Sequence, residues 1–243
     1  MSRPAVPIPP VLAFATLNGS RWGVAAGGEQ GLVAIAEASA PGPAEVAPGL
    51  LRRTGAGQWE IQRNGDLLTA VEQAADVTGE SDADAGESDA DAFRLVRLDG
   101  AADATGLVHP GGSDASADSA RMLFAWFPGG LAVALLAVRP PRAKGQDRDE
   151  LSVACIGEPA GQRVFDPRLS STYDEHGLLR RVGVELWLGE SEDGDLHSLR
   201  LAGEALGPVA RLELDGALVQ AQPFTGHSRG EAGIGVYVLI THP

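Results

Sequence analysis

The sequence predicts a mainly β protein, and three observations carry that prediction. Thirty-two glycines and sixteen prolines are spread over all 243 residues. Between them lie apolar or alternating runs of about five to nine residues, the length of short strands joined by turns. No sustained helical period competes with this pattern. About a dozen such runs suit a barrel, a sandwich or a pair of small barrels.

The first runs, VLAFATL (11–17), RWGVAAG (21–27) and GLVAIAE (31–37), are separated by the turn-like NGS and GEQ. They predict an antiparallel meander whose first hairpin turns at Asn18-Gly19. QWEIQR (58–63), LLTAVEQA (67–74) and FRLVRLD (93–99) continue the series. LLTAVEQA also has helix-forming residues, and strand is the favoured reading. The polar stretches 76–92 and 101–119 are expected to be loops or a linker. A boundary near residue 118 would then separate an N-terminal β unit, 1–118, from a C-terminal one, 119–243.

RMLFAWF (121–127) and LAVALLAV (131–138) flank PGG, and LSVACIG (151–157) follows the charged connection PPRAKGQDRDE. LLRRVGVELWL (178–188), HSLRLAG (197–203), VARLELD (209–215), ALVQAQPF (217–224) and AGIGVYVLI (232–240) complete the strands. Leu212 and Leu214 alternate with Arg211, Glu213 and Asp215, so this strand should bury one face and wet the other. Asp215-Gly216 then closes a hairpin onto the next run.

The formal net charge of −14 excludes partners that attract through phosphates, which demand clustered Lys and Arg. Nucleic acid and anionic membrane surfaces are therefore not expected. The single cysteine, Cys155, rules out an intramolecular disulfide and a cysteine-rich zinc site, and its apolar VACIG setting predicts a buried, inert thiol. Prolines interrupt the N-terminal apolar run, and MLFAWFPGGLAVALLAV is broken at Pro128-Gly129-Gly130. Neither a signal helix nor a membrane span is expected, and the expected location is cytoplasmic.

GESDADAGESDADA (79–92) repeats ESDADA, and spaced carboxylates can ligate a hard cation. Counting from Asp82, however, Gly86 falls at the fifth position and Phe93 at the twelfth, so the calcium-loop pattern fails. Like charge and low hydrophobicity predict instead a disordered acidic insertion over 76–92. GHSRG (226–230) matches the nucleophile-elbow pattern G-x-S-x-G around Ser228. An elbow needs a following helix and a later acid and histidine; a glycine-bearing strand and the chain end follow, so GHSRG is read as a turn. His109, His176, His197, His227 and His242 lack metal-binding spacing and are read as surface or turn residues. With no phosphate-binding loop, no cofactor is expected.

The most informative block is VFDPRLSSTYDEHGLLRRVGVELWL (164–188). DEHG predicts a hairpin turn, with Asp174 bonding backbone amides and Gly177 at positive φ. On the returning strand Val182, Val184 and Leu186 alternate with Arg181, Glu185 and Trp187. If the apolar triplet faces the core, Glu185 and Trp187 face water; if it packs outward, they face a cavity.

Through PRLSSTYDEHG, RRVGVELW and the terminal SRGEAGIGVYVLI with Gly233, Gly235 and Tyr237, residues 121–243 resemble the lipocalin-like family. This family includes carotenoid 1,2-hydratase (hydroxyneurosporene synthase) and many bacterial relatives of unassigned activity. GSRW (19–22) resembles the lipocalin G-x-W with one extra residue. The resemblance implies two lipocalin-like antiparallel β-barrel or half-barrel units side by side, with an apolar cavity in at least one. It implies Trp187, Tyr173, Tyr237 and Arg168 as ligand-binding candidates. For acid-assisted hydration, which needs a carboxyl group kept protonated, it implies Glu185 as preferred donor and Asp174 as second.

Three functions follow as expectations: binding of a lipid or isoprenoid in a β-lined cavity, hydration or isomerisation of an isoprenoid double bond, or a solid-cored structural module. A cavity too small for any ligand would favour the third.

Overall fold

A computed structural model describes residues 8–16, 18–27, 31–37, 42–73, 77–78, 93–99, 104–111, 117–140, 143–144, 149–157, 163–189, 194–214 and 216–241. The first nine strands are β1 Val11–Thr16, β2 Arg21–Ala26, β3 Gly31–Glu37, β4 Val46–Gly55, β5 Gln58–Arg63, β6 Asp66–Glu72, β7 Val77–Thr78, β8 Arg94–Asp99 and β9 Ala104–His109. The rest are β10 Ser119–Trp126, β11 Ala132–Arg139, β12 Glu150–Ile156, β13 Arg163–Tyr173, β14 Leu179–Gly189, β15 His197–Ala205, β16 Ala210–Leu214, β17 Ala217–Ser228 and β18 Glu231–Thr241.

Strands β1 to β6, β8 and β9 form a closed antiparallel barrel, sealed where β9 pairs with β1 from Val11↔His109 to Thr16↔Ala104. The second sheet runs β13-β14-β15-β17-β18-β10-β11-β12-β7. Its ends curl together until β12 lies against β13, a nearly closed second barrel. Along β17, β15 pairs with Phe224–Ser228 while the short β16 pairs with Ala217–Ala221. The wall therefore divides at this edge.

Period-two alternation sorts the side chains into three cores. In the first barrel Leu12, Phe14, Trp59, Ile61, Val96 and Val108 point inward. In the second, Leu123, Leu135, Val184, Leu186, Leu201 and Phe224 do so. The alternate residues of β1 and β2 (Val11, Ala13, Trp22, Val24) meet those of β10, β16, β17 and β18 (Met122, Phe124, Leu212, Val219, Val236) in a third core between the barrels. This explains why β1 and β10 are apolar on both faces.

Glycines make room for an aromatic ring inside each barrel. A Cβ at Gly23 would stand 2.2 Å from the Phe14 ring, and one at Gly235 only 2.1 Å from Phe224. Gly203 faces Phe224 as well, at 2.5 Å. These two phenyl rings each occupy part of a barrel interior.

Several expectations change. Residues 104–109, read as loop, are β9, the strand that closes the barrel. β4 was not anticipated, because it contains Pro48 and Gly49 and exposes Arg52, Arg53, Thr54 and Gly55. Within the acidic stretch, Val77 and Thr78 pair with Ile156 and Cys155 of the second sheet; the insertion reading for 79–92 lies outside the described residues. LLTAVEQA is strand through Glu72. GHSRG is strand through Ser228, and only Arg229-Gly230 turn, both at positive φ. His109 is no surface residue: it is buried beside the Phe93 ring, 5.0 Å between centroids. Cys155 is buried, and burial pushes its thiol pKa up to about 12, as an inert thiol requires.

Candidate functional site

The β13–β14 hairpin turns at DEHG because Asp174 organises it. The Asp174 carboxylate accepts the backbone N–H of His176 at 2.8 Å and of Leu178 at 2.9 Å, and Gly177 takes φ +74°. The bond from Leu178 is the main reason the Asp174 pKa lies below the ordinary aspartate value. Just before the turn, the pairing shifts register between Thr172 and Tyr173. Such a bulge re-aims a side chain, and the Tyr173 hydroxyl meets Tyr237 across the sheet, Oη to Oη 2.6 Å.

Tyr237 is buried on the inner face of β18, and Tyr173 is partly open at the rim. Behind the pair stands a polar relay. Ser171 Oγ donates to Tyr173 Oη at 3.0 Å, and Arg121 Nη1 donates to Ser171 Oγ at 2.9 Å. Arg121 also bonds Asp149, whose other oxygen accepts from Arg139 at 3.1 Å. Burial first, and then the neighbouring Tyr173, hold the Tyr237 pKa well above the ordinary phenol value. The Tyr237 hydroxyl therefore keeps its proton at neutral pH. Two hydroxyls sharing one hydrogen bond leave one O–H proton for another acceptor.

The sheet register extends this polar area. Tyr237 is the cross-strand partner of Gln222, and Leu239 of both Gln220 and Arg121. Gln222 donates to the Leu206 carbonyl at 3.1 Å. Tyr173, Tyr237, Gln220 and Gln222 surround a space of only about 10 Å³ beside Leu179 and Val209, room for about one water. Val209 also lines a larger open groove of about 520 Å³, whose other walls are Gly42, Pro43, Ala44 and Val46 from the first barrel and Leu178, Gly207 and Arg211 from the second. The Ala44 N–H donates to the Val209 carbonyl at 3.0 Å, tying the two walls together.

The structure separates the six sequence-derived candidates. Tyr173 and Tyr237 meet. Asp174 sits in the turn beyond them with its carboxylate engaged by backbone. Glu185, Trp187 and Arg168 lie on the outer face of β14 and β13, because Val182, Val184 and Leu186 take the core. There Glu185 accepts two hydrogen bonds from Arg200, at 3.0 and 2.7 Å, and Arg168 pairs with Asp166.

Sequence reasoning missed Arg121, Ser171, Asp149, Gln220, Gln222 and Arg211. A signal existed for the glutamines, since VQAQ alternates them with the core residues Val219 and Ala221. Among the described residues no group of three or more His, Cys, Asp and Glu side chains could hold a metal. None of their helices is long and apolar enough to cross a membrane.

Together the two sheets define an all-β protein of two lipocalin-like antiparallel barrels, one closed and one nearly so. The chain is similar in fold to the crystal structure of kievitone hydratase from Nectria haematococca, with a TM-score of 0.58 and 9% identity, over 98% of this chain and 90% of that one. At that identity the likeness shows the fold alone. No known family profile matches the chain, and no curated protein matches its sequence.

Proposed function

We propose that the protein binds an apolar small molecule, a lipid or isoprenoid, in the groove between its barrels, with a polar group of that molecule directed at the tyrosine pair. The observation that carries this reading is that Val209 lines both the groove of about 520 Å³ and the small polar space at Tyr173 and Tyr237. A volume of that order, mostly apolar walls and a few convergent polar groups are the usual features of a small-molecule site. The Phe14 and Phe224 rings, each packed against glycine inside a barrel, take up interior space and favour a ligand between the barrels.

Hydration of an isoprenoid double bond, as in the carotenoid 1,2-hydratase family, is the second reading. It is favoured by the hydratase fold neighbour and by the water-sized space against the phenols. Protonating an isolated alkene calls for a carboxylic acid with a free oxygen to hold the proton. Both oxygens of Asp149 are taken by arginines. Asp174 keeps one oxygen free among the described residues, but the turn amides on the other favour its charged form. Glu185, bonded to Arg200 through one oxygen, faces outward. Binding therefore ranks above catalysis.

The test is mass spectrometry of an organic extract from protein purified out of a lipid-containing lysate, alongside a Val209→Trp variant and an unrelated acidic protein. An apolar compound enriched on the parent and lost on the variant supports the reading. Equal amounts on all three would leave the solid-cored structural module. Turnover of the recovered compound that survives Glu185→Gln but not Tyr237→Phe would promote the hydratase reading and remove Glu185 from it.

A further inference from the structure

Arg211 gives the groove a chemical preference. Ala210, Leu212 and Leu214 of β16 are buried in the core between the barrels, so Arg211 projects from the opposite face and forms part of the groove wall. Its cross-strand partner is Gln220, which lines the small space at the tyrosines. Arg211 thus lies on the groove wall beside a strand residue that lines the tyrosine space.

Among the described residues it is the charged side chain of the groove wall, and no carboxylate among them pairs with it. Glu213, two residues further along the same face, makes no ion pair with it, whereas Arg52, Arg121, Arg181 and Arg200 each have an acidic partner. An unpaired guanidinium beside Pro43, Ala44, Val46, Leu178 and Val209 offers a planar fork for an oxyanion at the end of an apolar surface.

We propose that the ligand is an amphipathic carboxylate whose hydrocarbon body lies in the groove and whose carboxylate is held by Arg211, with the Gln220 amide as neighbouring donor. This rests on the groove-binding reading above and specifies its polar group, since Gln220, the cross-strand partner of Arg211, also lines the space at the tyrosine pair. A free fatty acid and a carboxylated isoprenoid share that chemistry. The strong net charge of the chain does not oppose it, since half of the excess lies in the seven acids between 76 and 91, and local pairing outweighs distant charge screened by salt.

The test is titration calorimetry with decanoate and decanol, both below their aggregation limits, on the whole chain and on Arg211→Gln and Arg211→Lys. Decanoate should bind the parent about tenfold or more tighter than decanol, the gain of one charge-assisted contact. Arg211→Gln should bring decanoate down to the decanol level without moving decanol, and Arg211→Lys should keep part of the difference. Added salt should weaken decanoate alone.

Equal binding of both ligands, unmoved by Arg211→Gln, would overturn the headgroup assignment while leaving a groove that binds apolar molecules. Failure of both ligands to bind the folded parent would overturn the groove reading and the headgroup with it. Arg211 is exposed, so circular dichroism of the variants is expected to match the parent.

Discussion

Gly235 and Phe224 show how single residues decide what the second barrel can hold. Gly235→Ala places a methyl group 2.1 Å from the Phe224 ring and 2.7 Å from the Phe124 carbonyl. It should destabilise the protein by ~1–3 kcal/mol in urea unfolding, and Phe224→Leu in the same chain should recover part of the loss. An unchanged midpoint would mean the ring is free to move aside. Asp174 makes a pH-dependent contribution. Its folded pKa is lowered by the bonds from Leu178 and His176, so its stabilisation is full above the unfolded value of about 3.9 and is lost as pH falls through the folded value. Asp174→Asn should lower Tm at neutral pH, and the gap to the parent should close in strong acid. A gap independent of pH would show that the charge is irrelevant. The role of Asp174 in the turn was legible because D-x-x-G is a local pattern. That of Arg121 was not, since nothing in RMLFAWF says that its one charge is turned inward to meet Ser171 and Asp149.

At the scale of elements, the sequence exposed strands whose alternation or apolarity was strong and hid those that the closed barrel holds in place. β9 reads ATGLVH, too short and mixed to stand out, yet it becomes a strand because β1 and β8 both pair with it. The returning strand β14 left two faces open as alternatives, and packing of Val182, Val184 and Leu186 against the second core resolved them. Turn chemistry supplies a prediction here. The β17–β18 hairpin closes with Ser228↔Glu231 around Arg229 at φ +50° and Gly230 at φ +83°. Two-residue turns with positive φ at both positions favour Asn-Gly, so Arg229→Asn should raise unfolding stability by up to about 1 kcal/mol. Loss of stability would reveal a contact that Arg229 makes in the folded chain. Replacing residues 79–92 by a Gly/Ser run of equal length should leave the unfolding midpoint in place, and collapse of the fold would show that the acidic repeat is structural.

For the whole molecule, the core between the barrels is the feature that composition could not announce. Its residues, among them Val11, Trp22, Met122, Phe124 and Val236, come from strands that read simply as buried. We propose that 1–118 and 119–243 are two units that fold against each other. Expressed alone, the second unit would expose Met122, Phe124 and Trp126 and should aggregate unless the first is supplied. A monomeric, soluble second unit would contradict this. The pairing of barrels also produces the groove, whose walls come from residues 42–46 on one side and 178 and 207–211 on the other. No run of sequence contains both walls, which is why Tyr173 and Tyr237 were found by resemblance while the groove beside them was not.

The most direct measurement is chemical-shift mapping of the isotope-labelled whole chain titrated with decanol, which probes the groove without engaging the headgroup question. The account predicts saturable shifts at the backbone amides of Ala44, Val46, Leu178 and Val209, reaching Tyr173 and Tyr237. Shifts confined to the barrel interiors around Phe14 and Phe224, or no saturable shifts at all, would contradict it.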